Sequence, residues 1–534
     1  MHANKLVLAG LAALVMTSAC FEDGRHVGWD RERLILGPVP LKDRVAYIDS
    51  ARDQVTILDT TTPKPRIYRY HIGRRAIFAT TTPDHQRLAV VTRGEEAVVE
   101  GQVDEEPKLW LIDVSDPSSE PVSYDVGSPF DRLAIASDGN TAVAYFSQSG
   151  PDSEGFFRNP NELALIKLSA EPSDINPTLK TVRSFGSVPD GIVLSPPMVV
   201  PNAEDPTPRV FAFVLAQNNV TIIDATYPER NEVSIRLDTA GVNVRPREIV
   251  FAPGTSTAYL RSDNARDVLE IFINYEPPSP DEPTDNDFRP ALAELGAGGG
   301  PADIAVYDDL SGRRLVLAAT PNTRQIVVID TDTAQFTTIE TPDPIDRVLL
   351  FPDNPTETPR VALLASLGSR LSRVHLVSLD GIGDPLVQPT VQTINLDKPA
   401  LDVVPVPGRE LAMIVHDDNR TVLGLLDLVF GSVSPLQGIG RLDAYAFSSA
   451  GDYLIGATAG SSRVGFLQLA NLHPSDMRLD AAPVDVLAMS NGSIVLDHGT
   501  AFGHATIIPQ PDARRADSFV LDGFLLDGIF DDEY

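Results

Sequence analysis

The sequence reads as an all-β chain built from one repeated unit, on three observations. Short segments rich in Val, Ile and Leu alternate apolar and polar residues with a period of two. Clusters of Asp, Gly, Pro and Asn close those segments about every 8 to 12 residues. The same succession of segments returns along the body of the chain, without the capped helical stretches that parallel βαβ units require.

The unit opens with a turn, often led by proline, into an apolar stretch. It turns again at Asp, Gly, Pro or Asn and resumes with a second alternating stretch. The clearest copies are PFDRLAIASDGNTAVAYFS from Pro129, VRPREIVFAPGTSTAYLRS from Val244 and GPADIAVYDDLSGRRLVLAAT from Gly300. Others begin at Pro344, Pro399, Arg441 and Pro483, and weaker ones near Arg75 and Val188. A third strand ending in an acidic turn follows many of these hairpins: QVTILDTT from Gln54, KLWLIDVSD from Lys108, NVTIIDATY from Asn219 and QIVVIDTDT from Gln325. A fourth, more polar stretch closes the unit. Four short antiparallel strands in roughly 40 to 60 residues is the pattern of a β-propeller blade.

Nine first-strand copies can be counted. Ahead of them, residues 44–73 supply the outer three strands of a unit that lacks its first. The segment SFVLDGFLLDGIF from Ser518 is expected to pair in as that missing strand, closing the ring and removing its open edges. The repeats give about 8 to 10 four-stranded units, compatible with one ring or two in tandem; a tandem of β-sandwiches is the alternative fold. The turn into the first strand and the later V-x-[VI]-[IL]-D-T/A strand resemble the YVTN-type and related WD40-like β-propellers of bacterial exported proteins. That resemblance implies the fold and leaves the activity open, because propellers host many unrelated functions.

The amino terminus carries a different signal. Lys5 precedes an apolar run from Leu6 to Met16, too short to span a bilayer, and then the small residues Thr17, Ser18 and Ala19. Thr17-Ser18-Ala19-Cys20 resembles the lipobox of bacterial lipoproteins, with Thr17 where that family most often has Leu. The resemblance implies a signal peptide over 1–19, cleavage before Cys20 and diacylation of its thiol. Two acyl chains suffice for stable anchoring. An ordinary secretory signal with an incidental cysteine is the competing reading. Residues 20–43 then form the lipidated anchor and spacer and 44–534 the propeller, exported and held at the bacterial outer membrane on its periplasmic or surface face.

With 43 basic against 74 acidic side chains, the formal net charge of −31 argues against nucleic acid as a partner. Cys20 is the only cysteine, so the fold must hold without an intrachain disulfide and without a CxxC metal or redox site. Asp recurs at the start of the first strands, at Asp131, Asp190, Asp303, Asp346, Asp402, Asp443 and Asp485. A ring of such carboxylates at the channel mouth would suit a hard cation such as Ca2+, with Asp303, Asp346 and Asp402 as candidate metal ligands. Equally, each Asp would serve its own turn by bonding backbone N–H groups. Among the nine histidines the one close pair is His498 and His504, and there is no HExxH, GxSxG or GxGxxG motif. Acidic, proline-rich insertions at Gly94, Val200 and Glu276 read either as binding loops on one face or as solvated linkers.

No catalytic residue or cofactor is assigned. The leading expectation is a membrane-anchored binding or scaffolding lipoprotein of the cell envelope, whose partner is a protein, peptide or glycan. The alternative is a propeller hydrolase or lactonase with a divalent cation at the channel mouth.

Overall fold

The computed structural model describes residues 34–526 apart from 96–103, 148–158, 183–188, 238–242, 280–284, 353–356, 368, 385 and 418. Within them, forty strands form ten four-stranded antiparallel sheets, each pairing its strands in consecutive order. The ten blades occupy residues 35–71, 76–125, 132–181, 191–236, 245–295, 303–340, 347–395, 402–436, 444–478 and 485–522, numbered 1 to 10 below. They form a single ring, a ten-bladed β-propeller. First strands of neighbouring blades touch, as in blades 1 and 2, 6 and 7, and 9 and 10. They therefore lie innermost, with the fourth strands at the rim.

Burial follows that radial order. The third strands Gln54–Asp59 and Asn219–Asp224 bury every residue, since both faces of the sheet meet a neighbouring blade. Apolar residues on both sides of the pleat are what such a strand requires. The outermost strands Gln335–Glu340 and His473–Arg478 expose most of their side chains, which accounts for the polar fourth stretch of the repeat.

The blades are held together by apolar packing. Among the described residues there are ten hydrophobic clusters, and each spans one interface between adjacent blades. Ten blades in an open row would have nine interfaces. The tenth cluster joins Val45, Tyr47 and Leu58 of blade 1 to Met489, Val495, Ile507 and Leu521 of blade 10, together with Phe524 and Leu525 just beyond it. At roughly 1.5–3 kcal/mol per large buried side chain, such a seam resists opening without a covalent staple.

How the ring closes differs from the sequence expectation. The segment from Ser518 does not complete blade 1; Phe519–Asp522 is the fourth strand of blade 10, paired with His504–Ile508. Blade 1 takes its first strand from Ile35–Pro40, inside the stretch expected to be spacer. That stretch reads as a linker because ILGPVP holds two prolines and a glycine. An innermost strand has one unpaired edge, and an edge tolerates proline. Gly37 sits where the register shifts between Leu36 and Val39, at φ +120, and a Cβ there would lie 2.8 Å from the Ala46 carbonyl oxygen.

Polar contacts finish the seam. The buried Tyr47 hydroxyl donates to Asp497 Oδ1 at 3.2 Å, and the Tyr47 ring meets Phe524 edge-on at 5.0 Å. Arg52 and Arg69 donate to the carbonyls of Leu525 and Phe524. On the far side, the Asn491 side chain donates to the Thr60 carbonyl and the Ser490 amide to that of Lys42. Replacing Tyr47 by Phe keeps the packing but removes the donor to Asp497 Oδ1 in the seam, leaving that carboxyl the Gly499 amide at 3.1 Å. The expected result is a loss of about 1–3 kcal/mol, read as a lower midpoint of urea denaturation.

Candidate functional site

The up-and-down order of every blade sorts its connections onto two faces. The upper face carries the starts of the first strands, the links between blades and the turns between second and third strands. The lower face carries the turns between first and second, and third and fourth, strands.

All seven recurrent aspartates stand on the upper face where first strands begin, and they act in three ways. Asp131 accepts from the Ser147 amide at 2.6 Å, Asp346 from Leu367 at 2.9 Å and Asp443 from Ala459 at 2.7 Å. Each of these clamps the start of a first strand to the end of the second strand in the same blade. Asp190 forms a two-pronged pair with Arg245 of the next blade, at 2.6 and 2.9 Å. Asp303 Oδ2 accepts from the Val348 amide of the next blade at 2.7 Å, with Arg347 at 3.8 Å. Asp402 and Asp485 accept from the amides that follow them, Val403 and Val486. Burial pushes the Asp303 carboxyl up to about 6. The backbone bond from Ala459 holds Asp443 below its ordinary value.

Asp303, Asp346 and Asp402 thus sit on three successive blades, each with one oxygen engaged by a backbone N–H. Among the described residues no three His, Cys, Asp or Glu side chains are grouped to hold a metal ion. Cys20 lies outside the described residues. His498 and His504 stack edge to face at 4.4 Å, with His498 Nε2 on the Thr506 hydroxyl. His375 is buried between Asp343 at 2.9 Å and Thr393 at 3.1 Å.

The three insertions do not share a face. The one from Gly94 joins the second and third strands of blade 2, on the upper face, while those from Val200 and Glu276 lie on the lower face of blades 4 and 5. The latter two are knitted together by a buried charge network. Arg209, 1% exposed, forms a two-pronged pair with Asp287 at 2.6 and 2.9 Å and stands 3.5 Å from Asp224. Arg230 also pairs with Asp287, and the Tyr227 ring lies between the two guanidiniums, 5.1 and 4.3 Å from them. Nothing in the composition of two acidic loops signals a shared buried arginine.

Away from that network the lower face exposes large apolar side chains on three adjacent blades. Leu310 and Phe336 of blade 6, Leu386 and Val387 of blade 7, and Val429 and Phe430 of blade 8 are all exposed, Leu386 by 91% and Phe430 by 78%. The turns are neighbours: Gly383 packs on Leu315 of blade 6, and Gly431 of blade 8 on Gln392 of blade 7. Asp427 holds the tip of blade 8 by accepting from the amides of Val429 and Phe430, both at 2.9 Å. Cavities open elsewhere on the described surface. One of about 1150 Å³ lies on the rim under the Ala170–Thr178 loop of blade 3, and one of about 860 Å³ on the upper face between blades 5 and 6.

Comparison with known proteins leaves the family open. No known family matches the sequence, and no curated protein does. Solved structures that share part of its shape include two of low identity. One is the dihydro-heme d1 dehydrogenase NirN in complex with DHE, at 13% identity and TM-score 0.40, covering 85% of this chain and 77% of that one. The other is a eukaryotic initiation factor, at 12% identity and TM-score 0.39, covering 76% of this chain and 87% of that one. Neither likeness carries a function to this chain.

The loop network predicts a pH dependence. Burial outweighs the Arg209 charge and raises the Asp224 carboxyl from 3.8 to about 6. A carboxyl that is raised on folding binds its proton more tightly folded than unfolded. Its contribution is fully present below the unfolded value and is lost as pH rises through the folded one. Stability is therefore expected to fall by up to ~3 kcal/mol between pH 3.8 and about 6 from this group. Asp224→Asn should flatten that part of the profile, measured by urea denaturation at a series of pH values.

Proposed function

We propose that this chain is an exported bacterial lipoprotein, tethered to the outer membrane through acylated Cys20, whose propeller docks another envelope protein. The apolar arc on the lower face of blades 6 to 8 carries this reading. An exposed apolar patch that spans neighbouring turns on a water-facing surface signals an interaction site. The exposed carboxylates Asp332, Asp380 and Glu410 stand on the same face of these blades. The partner that fits presents apolar anchors within a basic rim, because aromatic and aliphatic anchors supply most of the binding energy while rim charges select the partner.

The tether and the arc fit together. The first strand of blade 1 begins on the upper face, so the chain reaches the ring from that side and the arc points the other way. Among the described residues no helix is long and apolar enough to cross a membrane, and the lipid chains would supply the attachment. The recurrent aspartates serve this role as clamps that keep the ring rigid. The likeness to YVTN-type exported propellers is part of the same proposal.

Two measurements test it. Cys20→Ser should release the protein to the soluble fraction; continued sedimentation with membranes would reject the tether. A photo-crosslinking residue at Phe430 should yield one discrete adduct in intact cells, and the same residue at Phe502 on the upper face should not. In that background Leu386→Asp should reduce the adduct about tenfold or more. Equal labelling at the two positions would reject the lower face as the docking surface.

A further inference from the structure

The wall of the central channel holds apolar side chains and unpaired backbone together. In blades 3, 4, 6, 7, 8 and 10 the middle of the first strand carries two successive half-buried residues, apolar in every case. Ala305-Val306, Leu349-Leu350 and Leu487-Ala488 are three of these pairs. Successive side chains of a strand point to opposite faces of its sheet. Both members of a pair are therefore uncovered from the inner edge of the strand, which borders the channel. Ten sheets packed about 10 Å apart set a ring of inner strands roughly 30 Å across, wider than the usual four to eight blades would leave. Another chain has room beside any of these edges.

The edges carry backbone as well. Among the described residues each sheet ends at its first strand, and no further strand pairs there. Alternate N–H and C=O groups of such a strand face away from its neighbour and depend on water. An acyl chain on this wall would cover the apolar residues, but it would strip that water and leave the backbone groups unmatched, which is costly. An extended polypeptide covers the same residues and brings a matching donor and acceptor with it.

The ten edges are not equal. Proline interrupts the first strands of blades 1, 5 and 8, and the register of blade 2 shifts between Ala76 and Phe78. Blades 3, 4, 9 and 10 offer four residues and blade 7 offers five. Asp303–Asp308 of blade 6 offers six in unbroken register, and among the described residues its one strand partner is Arg314–Thr320.

We propose that an extended apolar segment of a partner polypeptide enters the channel and adds to Asp303–Asp308 as a fifth, innermost strand of blade 6. Its side chains come to rest beside Ala305 and Val306 and beside Leu350, which packs at the interface with the next blade. Basic residues at its ends suit a chain whose acidic side chains outnumber the basic ones by 74 to 43. The site is in the channel, away from the apolar arc, and does not rest on the docking reading.

The test uses the full mature chain carrying Cys20→Ser, in which an added cysteine is the only one. Alkylation of Ala305→Cys by N-ethylmaleimide is followed with and without a peptide of alternating Val and Thr that has lysine at both ends. Main-chain pairing tolerates sequence, so about 1 mM of this peptide should slow the reaction at least about fivefold, a Kd of about 0.25 mM or tighter. The same peptide with N-methyl groups on its central amides cannot pair and should slow it less than about twofold. Phe430→Cys on the arc and Ala446→Cys in the first strand of blade 9 should react at unchanged rates. No slowing at Ala305→Cys, equal slowing by the N-methylated peptide, or equal slowing at either of the other cysteines would each overturn the proposal. Laurate slowing Ala305→Cys as much as the peptide does would also overturn it, and would make the channel wall a lipid site.

Discussion

Everything else in this molecule depends on the tenth interface. Nine of the ten apolar clusters follow from chain connectivity, since successive blades are covalently linked and each must cover the face of the next. The tenth brings together residues some 450 positions apart, Tyr47 and Asp497 among them, with no strand exchanged between the first and last blades. Many small rings use a shared strand as a clasp. Here the clasp is side-chain packing and a few buried polar bonds, in a protein whose single cysteine rules out an intrachain disulfide. Without it, the apolar faces of blades 1 and 10 would stand open to water.

That constraint explains how the two faces divide their work. On the upper face, carboxylates at the strand starts bind backbone amides or arginines of the same or the next blade, so the mouth of the channel is a set of ties. On the lower face the insertions of blades 4 and 5 are fastened around Arg209, while the turns of blades 6 to 8 leave Leu310, Leu386 and Phe430 exposed. A buried ion pair seldom gains net stability over apolar packing. Its use here is to give two loops one fixed arrangement beside that surface.

Most of the architecture was legible because a blade is a local object. All nine repeat copies found from Arg75 to Pro483 lead into first strands of blades 2 to 10, and QVTILD, KLWLID, NVTIID and QIVVID are third strands as expected. Their final Asp caps the following turn, as Asp59 does by accepting from the Thr61 amide at 2.8 Å. The strand ILGPVP was missed because its prolines and Gly37 erase the alternation that marks a strand, which an inner edge allows. The aspartate positions were readable, but their partners were not. Asp190 pairs with Arg245 and Asp303 with the Val348 amide across a blade boundary, and sequence spacing carries no information about that register. The Arg209 network depends equally on a contact between blades, with Asp287 on the next one.

Hydrogen exchange at the seam tests the closed ring most directly. The strands Arg44–Asp49 of blade 1 and Ile494–Asp497 of blade 10 are buried to the same degree as Arg314–Thr320 in the middle of the chain. A ring closed by the tenth cluster predicts that amides in all three strands share the same slow exchange, within about tenfold, because none can open without breaking the whole ring. Amides of blades 1 and 10 exchanging about a thousandfold faster than those of blade 6 would contradict it, and would describe an array that opens at its ends.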